Sequence, residues 1–90
     1  MSVLGGPSAV LKSLRVEYHA AFREAAGRSE EAVRSSAATA ADLYDEIAAR
    51  HGFSFDRSFL SVALNDSVVP WTSPVRDGDT VAFLTPFAGG

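Results

Sequence analysis

Ala82–Gly90 reads AFLTPFAGG, and we expect the fold to be organised around this stretch. An apolar, strand-like run reaches a proline and an aromatic residue, and the sequence then ends in Gly89 and Gly90. Neither glycine has a side chain, so a partner enzyme can approach the carbonyl carbon of Gly90 from either side. We therefore expect the carboxylate of Gly90 to be the working group. It must first be activated, for example as a mixed anhydride with a nucleotide, before it accepts a nucleophile.

The residues before this tail predict the last strand of a sheet. Thr80–Thr85 alternates in the manner of a strand with one buried face, with Val81 and Phe83 pointing into the core and Leu84 pointing outward. Asp77–Asp79 (DGD) precedes the strand and predicts a tight turn. A calcium loop is a weaker interpretation of these two acids, because the ligand series of an EF-hand is absent.

Size and composition indicate one ordinary globular domain. The 90 residues are 47% hydrophobic and 21% charged, and the net charge of −3 provides no electrostatic footprint for nucleic acid or for an anionic membrane. There is no cysteine, so disulfides, thiolate metal sites and a cysteine nucleophile are excluded, and two histidines are too few for a convincing metal site. We expect a cytoplasmic protein in which any carried sulfur sits on the carboxylate of the tail.

The first half of the sequence predicts two strands with a short helix between them. Residues 1–11 are interpreted as a flexible leader. Lys12–His19 alternates as a half-buried strand, Ala20–Ala26 predicts a short helix with Phe22 inward, and Ser29–Ser36 predicts a second strand, antiparallel to the first.

One longer helix follows the second strand. Thr39 can cap its free backbone donors, Leu43 and Ile47 form an apolar stripe that should lie on the sheet, and Gly52 ends it. His51 lies in the last turn, and we interpret it as a residue that favours the helix dipole rather than as a catalytic one.

The second half predicts shorter elements. Phe53–Phe59 is interpreted as a loop whose aromatic residues plug the core, Ser61–Val69 as a hairpin that turns at Asn65–Asp66, and Trp71 as the anchor of the following loop. One main helix for one mixed sheet is typical of an α+β protein in which the helix packs on the sheet.

Three segments resemble one family. DGDTVAFLTPFAGG (Asp77–Gly90), LRVEYHAAFREAAG (Leu14–Gly27) and ALNDSVV (Ala63–Val69) are similar to the small, sulfur-carrying subunit of molybdopterin synthase, a MoaD/ThiS-like family. The resemblance covers about residues 12–90. It implies a β-grasp, ubiquitin-like fold with about four to five strands on one main helix, in which residues 12–86 form the domain and 87–90 an extended tail.

The resemblance also implies a mechanism. An ATP-dependent adenylyltransferase of the ubiquitin-activating kind would adenylate Gly90, and a sulfur donor would convert the product to a thiocarboxylate. The tail would then enter the large subunit of molybdopterin synthase, in a heterotetramer, and donate the sulfur to precursor Z during molybdenum cofactor biosynthesis. The chain would be a co-substrate rather than a catalyst, with no permanently bound cofactor, since ATP is used by the activating partner.

The family's partner surface is an apolar patch on the exposed face of the sheet. Matched by motif, it falls on His19, Val68 and Leu84, and it continues into Phe87 and Ala88 of the tail. His19 departs from the family pattern, in which an aromatic residue is usual at this place.

Three alternative functions keep the tail but change its use. Carriers for thiazole and for cysteine biosynthesis also end in Gly-Gly and use a thiocarboxylate. A ubiquitin-like modifier would join Gly90 to lysines of target proteins. A plain interaction domain would make no chemical use of the tail.

Overall fold

The computed structural model describes residues 10–86. The predicted leader therefore lies outside the described residues except at its last two positions. The predicted site residues Phe87, Ala88, Gly89 and Gly90 also lie outside them, and their roles stay predictions.

The described chain consists of five strands, two α-helices and one 3-10 turn. In chain order they are β1 (Lys12–Tyr18), α1 (Ala21–Ala26), β2 (Glu30–Ser35), α2 (Ala40–His51), the 3-10 turn (Arg57–Phe59), β3 (Ser61–Leu64), β4 (Ser67–Val69) and β5 (Thr80–Leu84). Every strand predicted from the sequence is present, with ends that differ by one or two residues.

The strands form one mixed sheet in the order β2-β1-β5-β3-β4. β5 occupies the middle of this sheet, parallel to β1 on one side and antiparallel to β3 on the other. β1 pairs with β2, and β3 with β4, as antiparallel hairpin-like neighbours. The predicted α+β, β-grasp architecture with one main helix is confirmed.

The core lies between one face of the sheet and α2. Leu43 and Ile47 of α2 are fully buried, as is Phe22 of α1. Burial of one such side chain contributes about 1.5–3 kcal/mol. The strands supply the alternating positions that the sequence predicted, namely Leu14, Val16, Tyr18, Val33, Val62, Val81 and Phe83.

The ends of α2 follow the predicted caps. Thr39 Oγ1 accepts a hydrogen bond from the backbone N–H of Asp42 at 3.2 Å, which satisfies one of the free donors of the first turn. The helix ends at Gly52, whose φ of 71° lies in the left-handed region.

One prediction for the loop after α2 is wrong. Phe53 and Phe55 pack against the core as expected, but Phe59 is 71% exposed. Asp56 caps the 3-10 turn by accepting from the backbone N–H of Ser58 at 2.9 Å. Phe59 follows within this turn, where its ring points to solvent rather than into the core.

Candidate functional site

The centre of the site is the end of β5, from which the tail continues. β5 is paired with β1 as far as Phe83 and with β3 as far as its last residue, Leu84, which lies opposite Ser61. Thr85 and Pro86 follow as the last described residues. The fold therefore delivers the chain to one end of the sheet immediately before Phe87.

The other end of β5 is fixed by side chains from two turns. Asn65 Nδ2 donates to Asp79 Oδ1 at 3.0 Å, and Asn65 Oδ1 accepts from the backbone N–H of Thr80 at 3.0 Å. Asp77 Oδ1 accepts from the backbone N–H of Ser13 at 2.7 Å, which ties the same turn to β1. The DGD sequence thus acts as a turn, as predicted.

The inner face of β5 is held by aromatic rings. Phe83 is fully buried, with ring centroids 5.1 Å from Tyr44, 6.0 Å from Phe22 and 6.2 Å from Trp71. The Trp71 indole N–H also donates to the carbonyl of Leu60 at 3.3 Å, in agreement with its predicted role as a loop anchor. The pair with Tyr44 is edge-to-face and the pair with Trp71 is stacked, and aromatic pairs of this kind contribute roughly 0.5–1.5 kcal/mol each beyond area burial. The strand that carries the tail therefore has a rigid base.

The structure brings His19, Val68 and Leu84 to one face of the sheet. We call this face, turned away from α2, the outer face. His19 Nε2 lies 3.7 Å from Glu17 Oε1, so both side chains share that face. His19 directly follows Tyr18, the last residue of β1, whose partner on β5 is Phe83, the residue before Leu84.

Small apolar residues join Leu84 to Val68 across the outer face. Ala82 pairs with Ala63, and Ala63 pairs with Val68 at the edge of the sheet. Val68 is 68% exposed, whereas Leu84 is half-buried. The outer face thus presents a flat strip of mostly small apolar side chains, and Glu17 and His19 lie at its border. Such a strip beside a functional terminus is typical of a contact surface.

An apolar groove that the sequence did not predict lies at the tail end of the sheet. It has a volume of about 470 Å³ and is bounded on one side by Thr85 and Pro86, directly before the tail. Exposed Phe59 also lines it. We call it the tail-end groove; its principal lining residues are Ala20, Ala21, Phe55, Phe59, Leu60 and Pro86. The sequence feature that could have indicated this groove is the capping pattern Asp56-Arg57-Ser58, which directly precedes Phe59.

A cluster of charged and polar side chains lies where β1, β2 and the end of α2 meet. Tyr18 donates its hydroxyl hydrogen to Glu31 Oε1 at 2.8 Å, and His51 Nε2 lies 2.8 Å from the same oxygen. Arg50 and Arg28 approach Glu31 Oε2 at 3.4 Å and 3.8 Å. His51 thus has a specific partner in β2, beyond the predicted interaction with the helix dipole.

The cluster shifts the pKa values of its acid and its phenol. Burial alone raises the pKa of Glu31, but hydrogen bonds from His51 and Tyr18 and the nearby cations outweigh it, so that this pKa is lowered. Burial and the bond to the Glu31 carboxylate raise the pKa of Tyr18 well above its usual value. Both shifts favour the observed network, in which each carboxylate oxygen of Glu31 has partners of its own, so we assign the network to folding.

The described residues contain no group of side chains that could hold a metal ion. Between residues 10 and 86, no helix has the length and apolar character needed to cross a membrane.

A family model and solved structures place the chain among known proteins. The model of the ThiS family matches residues 16–90. No curated protein sequence matches. The putative molybdopterin converting factor subunit 1 of Pyrococcus furiosus is similar, with 30% identity and a TM-score of 0.69 over 83% of this chain and 98% of that chain.

Two further structures have the same fold at lower identity. Small archaeal modifier protein 1 of Haloferax volcanii is 24% identical, with a TM-score of 0.66 over 87% of this chain and 99% of that chain. A complex of subunits 1 and 2 of the molybdopterin-converting factor of Helicobacter pylori contains a chain that is 20% identical, with a TM-score of 0.61 over 87% of this chain and 99% of that chain.

Proposed function

The chain belongs to the ThiS family, and from this premise we propose that it carries sulfur on Gly90 for the synthesis of the molybdenum cofactor. The single observation that carries the proposal is the central place of β5. This strand is held on both edges and on its inner face, and it leads directly into the Gly-Gly tail. The family model also matches through Gly90.

The chemistry proceeds in two steps. The carboxylate of Gly90 attacks the α-phosphorus of ATP on an activating enzyme, releasing pyrophosphate and forming an acyl-adenylate. A sulfide equivalent then attacks the acyl carbon, AMP leaves with the electron pair of the broken C–O bond, and a thiocarboxylate remains. Both steps use catalytic groups of the partners, and this chain acts as the co-substrate that the partners bind.

The acceptor in this proposal is the large subunit of molybdopterin synthase, which takes the tail and passes the sulfur to precursor Z in a heterotetramer. A complex of the two corresponding subunits is known for Helicobacter pylori. The outer face is the proposed docking surface, because its apolar strip runs from Val68 to Leu84, which lies three residues before the first residue of the tail segment. Phe87 and Ala88 would then contact the walls of the partner's channel.

The tail-end groove extends this docking surface. Thr85 and Pro86 are among its lining residues, so the groove adjoins the point at which the described chain leads into the tail segment. An apolar side chain of the tail-receiving subunit fits the groove, since six of its eight lining residues present aliphatic or aromatic surface. Exposed Phe59 would also lose water on contact.

A ubiquitin-like modifier is the second candidate. The structural likeness to small archaeal modifier protein 1 favours it, and it shares the adenylation step. The routes diverge only afterwards, because in a modifier the activated acyl group passes to a lysine amine of a target protein. Carriers for thiazole or cysteine biosynthesis share both steps and differ in the acceptor.

Intact-mass measurement after co-expression with the activating enzyme of the same organism tests the proposal. Replacement of one oxygen by one sulfur, located at Gly90, is the expected result, and the chain lacking Gly90 is the control that should stay unchanged. A ladder of conjugates on other proteins would favour the modifier, and an unchanged mass would contradict both. Sulfur transfer to precursor Z on adding the large subunit then separates this pathway from the thiazole and cysteine pathways.

A further inference from the structure

Lys12 is the only lysine of the sequence. The other seven of the eight Lys and Arg residues are arginines, and there is no cysteine. This composition matters for a chain whose terminus is activated, because a lysine amine or a thiolate attacks an activated acyl carbon. A guanidinium stays protonated and does not. The seven arginines supply positive charge without a nucleophile.

In the structure, this one lysine amine is held by a hydrogen bond. Lys12 Nζ donates to the backbone carbonyl of Ala37 at 2.6 Å, and the contact is partly buried. Lys12 opens β1 opposite Ser35 of β2, and Ala37 follows in the connection to α2, itself 9% exposed. To react, the amine must lose a proton and leave the Ala37 carbonyl, so that it can reach the acyl carbon of another chain.

Lys12 also lies at the far end of the sheet from the tail. β1 and β5 are parallel, with Tyr18 level with Phe83, so Lys12 precedes the tail end of the sheet by about seven residues, roughly 23 Å. Six extended residues after Leu84 span roughly 20 Å, and Nζ points further away, toward Ala37. The terminus of one chain therefore does not reach its own Lys12, and only a second copy can.

We propose that Lys12 is the one side-chain site at which this chain can be acylated by the activated terminus of another copy, and that its bond to Ala37 keeps this reaction slow. The inference rests on the proposed activation of Gly90. In the reaction, the deprotonated Lys12 amine attacks the acyl carbon, the leaving group departs with the electrons of the broken bond, and an isopeptide bond forms. The arrangement therefore limits the loss of activated chains through acylation of other copies of the same chain.

The test supplies the activation chemically. The full 90-residue chain, carrying a thioester with a small thiol at Gly90, is mixed with an acceptor form of the same chain, and the products are followed by intact mass and peptide mapping. Three acceptors are compared: the natural chain, Lys12→Arg, and Lys12→Arg combined with Arg34→Lys. Arg34 is exposed on β2 and has no ion pair among residues 10–86, so the double variant moves the single lysine to an open position.

We expect the lysine at position 34 to be acylated about tenfold faster than Lys12, the effect of about 1.4 kcal/mol of lost hydrogen bonding. Lys12→Arg should form no side-chain conjugate, and products at the chain's α-amino group are separated by the mapping. Equal rates at the two positions, or a cyclic monomer joined at Lys12, would overturn the inference. Unfolding curves of all three acceptors must coincide, so that the rates compare folded chains.

This experiment stands apart from the test of sulfur loading. If co-expression yields no thiocarboxylate, the proposed function fails while the relative reactivity of Lys12 is still measured. If loading succeeds and the two lysines react equally, only the inference about Lys12 fails.

Discussion

Asn65 Nδ2 donates a hydrogen bond to Asp79 Oδ1 at 3.0 Å, and this contact ties the turn between β3 and β4 to the turn that begins β5. Asn65 adopts a φ of 51°, a left-handed conformation that asparagine tolerates better than most residues. Its carbonyl oxygen also accepts from the backbone N–H of Thr80. The strand that carries the tail therefore starts from a position set by one side chain.

Replacement of Asn65 by glycine should lower the free energy of unfolding by about 1–2 kcal/mol, because both side-chain hydrogen bonds are lost while the left-handed backbone stays accessible. Urea unfolding measures this change. Asp66→Gly is the matched control, since Asp66 also has a positive φ, 73°, and its side chain makes no hydrogen bond among the described residues. It should leave stability unchanged or slightly raised; an equal loss in both variants would assign the effect to the turn backbone.

Acid should weaken the fold through Glu31. Its pKa is lower in the folded chain than the unperturbed value of 4.5, so the folded state binds fewer protons than the unfolded state as the pH falls. The stabilisation is complete above pH 4.5 and is lost as the pH falls through the folded-state pKa. Glu31→Gln should be less stable at pH 7 and should show a flatter loss of stability in acid, measured by urea unfolding at a series of pH values.

Glu30→Gln is the control for this pH dependence, because Glu30 pairs only with Arg15, at 2.8 Å, and both side chains are more than half exposed. Exposed pairs contribute roughly 0–1 kcal/mol, so the free energy of unfolding of this variant should fall with decreasing pH as steeply as that of the natural chain. If the natural chain and the Glu31→Gln variant lost the same free energy of unfolding in acid, the prediction would be contradicted.

Val68→Thr should weaken binding to the large subunit without weakening the fold. Threonine keeps the branched shape that suits a strand, and Val68 is 68% exposed, so stability should change by less than about 0.5 kcal/mol. The hydroxyl must be desolvated in an apolar contact, which predicts a Kd raised about tenfold in calorimetry. Val10→Thr is the matched control, since Val10 is equally exposed but lies before the sheet; the same loss there would argue against a specific surface.

Phe59→Ser should likewise weaken this binding, because the exposed ring would no longer cover the tail-end groove in the complex. A loss of about 1–2 kcal/mol of binding free energy is expected for an aromatic contact of this kind, with thermal stability unchanged. Phe59→Leu keeps an apolar side chain and should retain most of the affinity. Full affinity in the serine variant would place the groove outside the interface.

Local patterns predicted most of the elements. The alternation of Leu14, Val16 and Tyr18, and the Thr39 cap before Leu43, need only neighbouring residues and are confirmed. Each of these features expresses a period or a cap that a few consecutive residues specify.

Features set by distant contacts were beyond such patterns. The partner of His51 is Glu31, twenty positions earlier, so no spacing within α2 reveals it. The parallel pairing of β1 with β5 joins Arg15 to Thr80, which lie far apart in the sequence, and no local pattern in either strand specifies it. An aromatic residue such as Phe59 is expected in the core by composition, but Phe59 lies in the 3-10 turn that Asp56 caps and is exposed there. The tail-end groove follows from that turn and was missed for the same reason.

The central place of β5 has a mechanical consequence. A pull along the tail is directed along the strand, with β1 bonded to one edge and β3 to the other. Both ladders are then loaded in shear, so their hydrogen bonds resist together instead of opening one at a time as they would at the edge of the sheet. A partner protein that draws this tail into a narrow channel can therefore exert force on it without unfolding the domain.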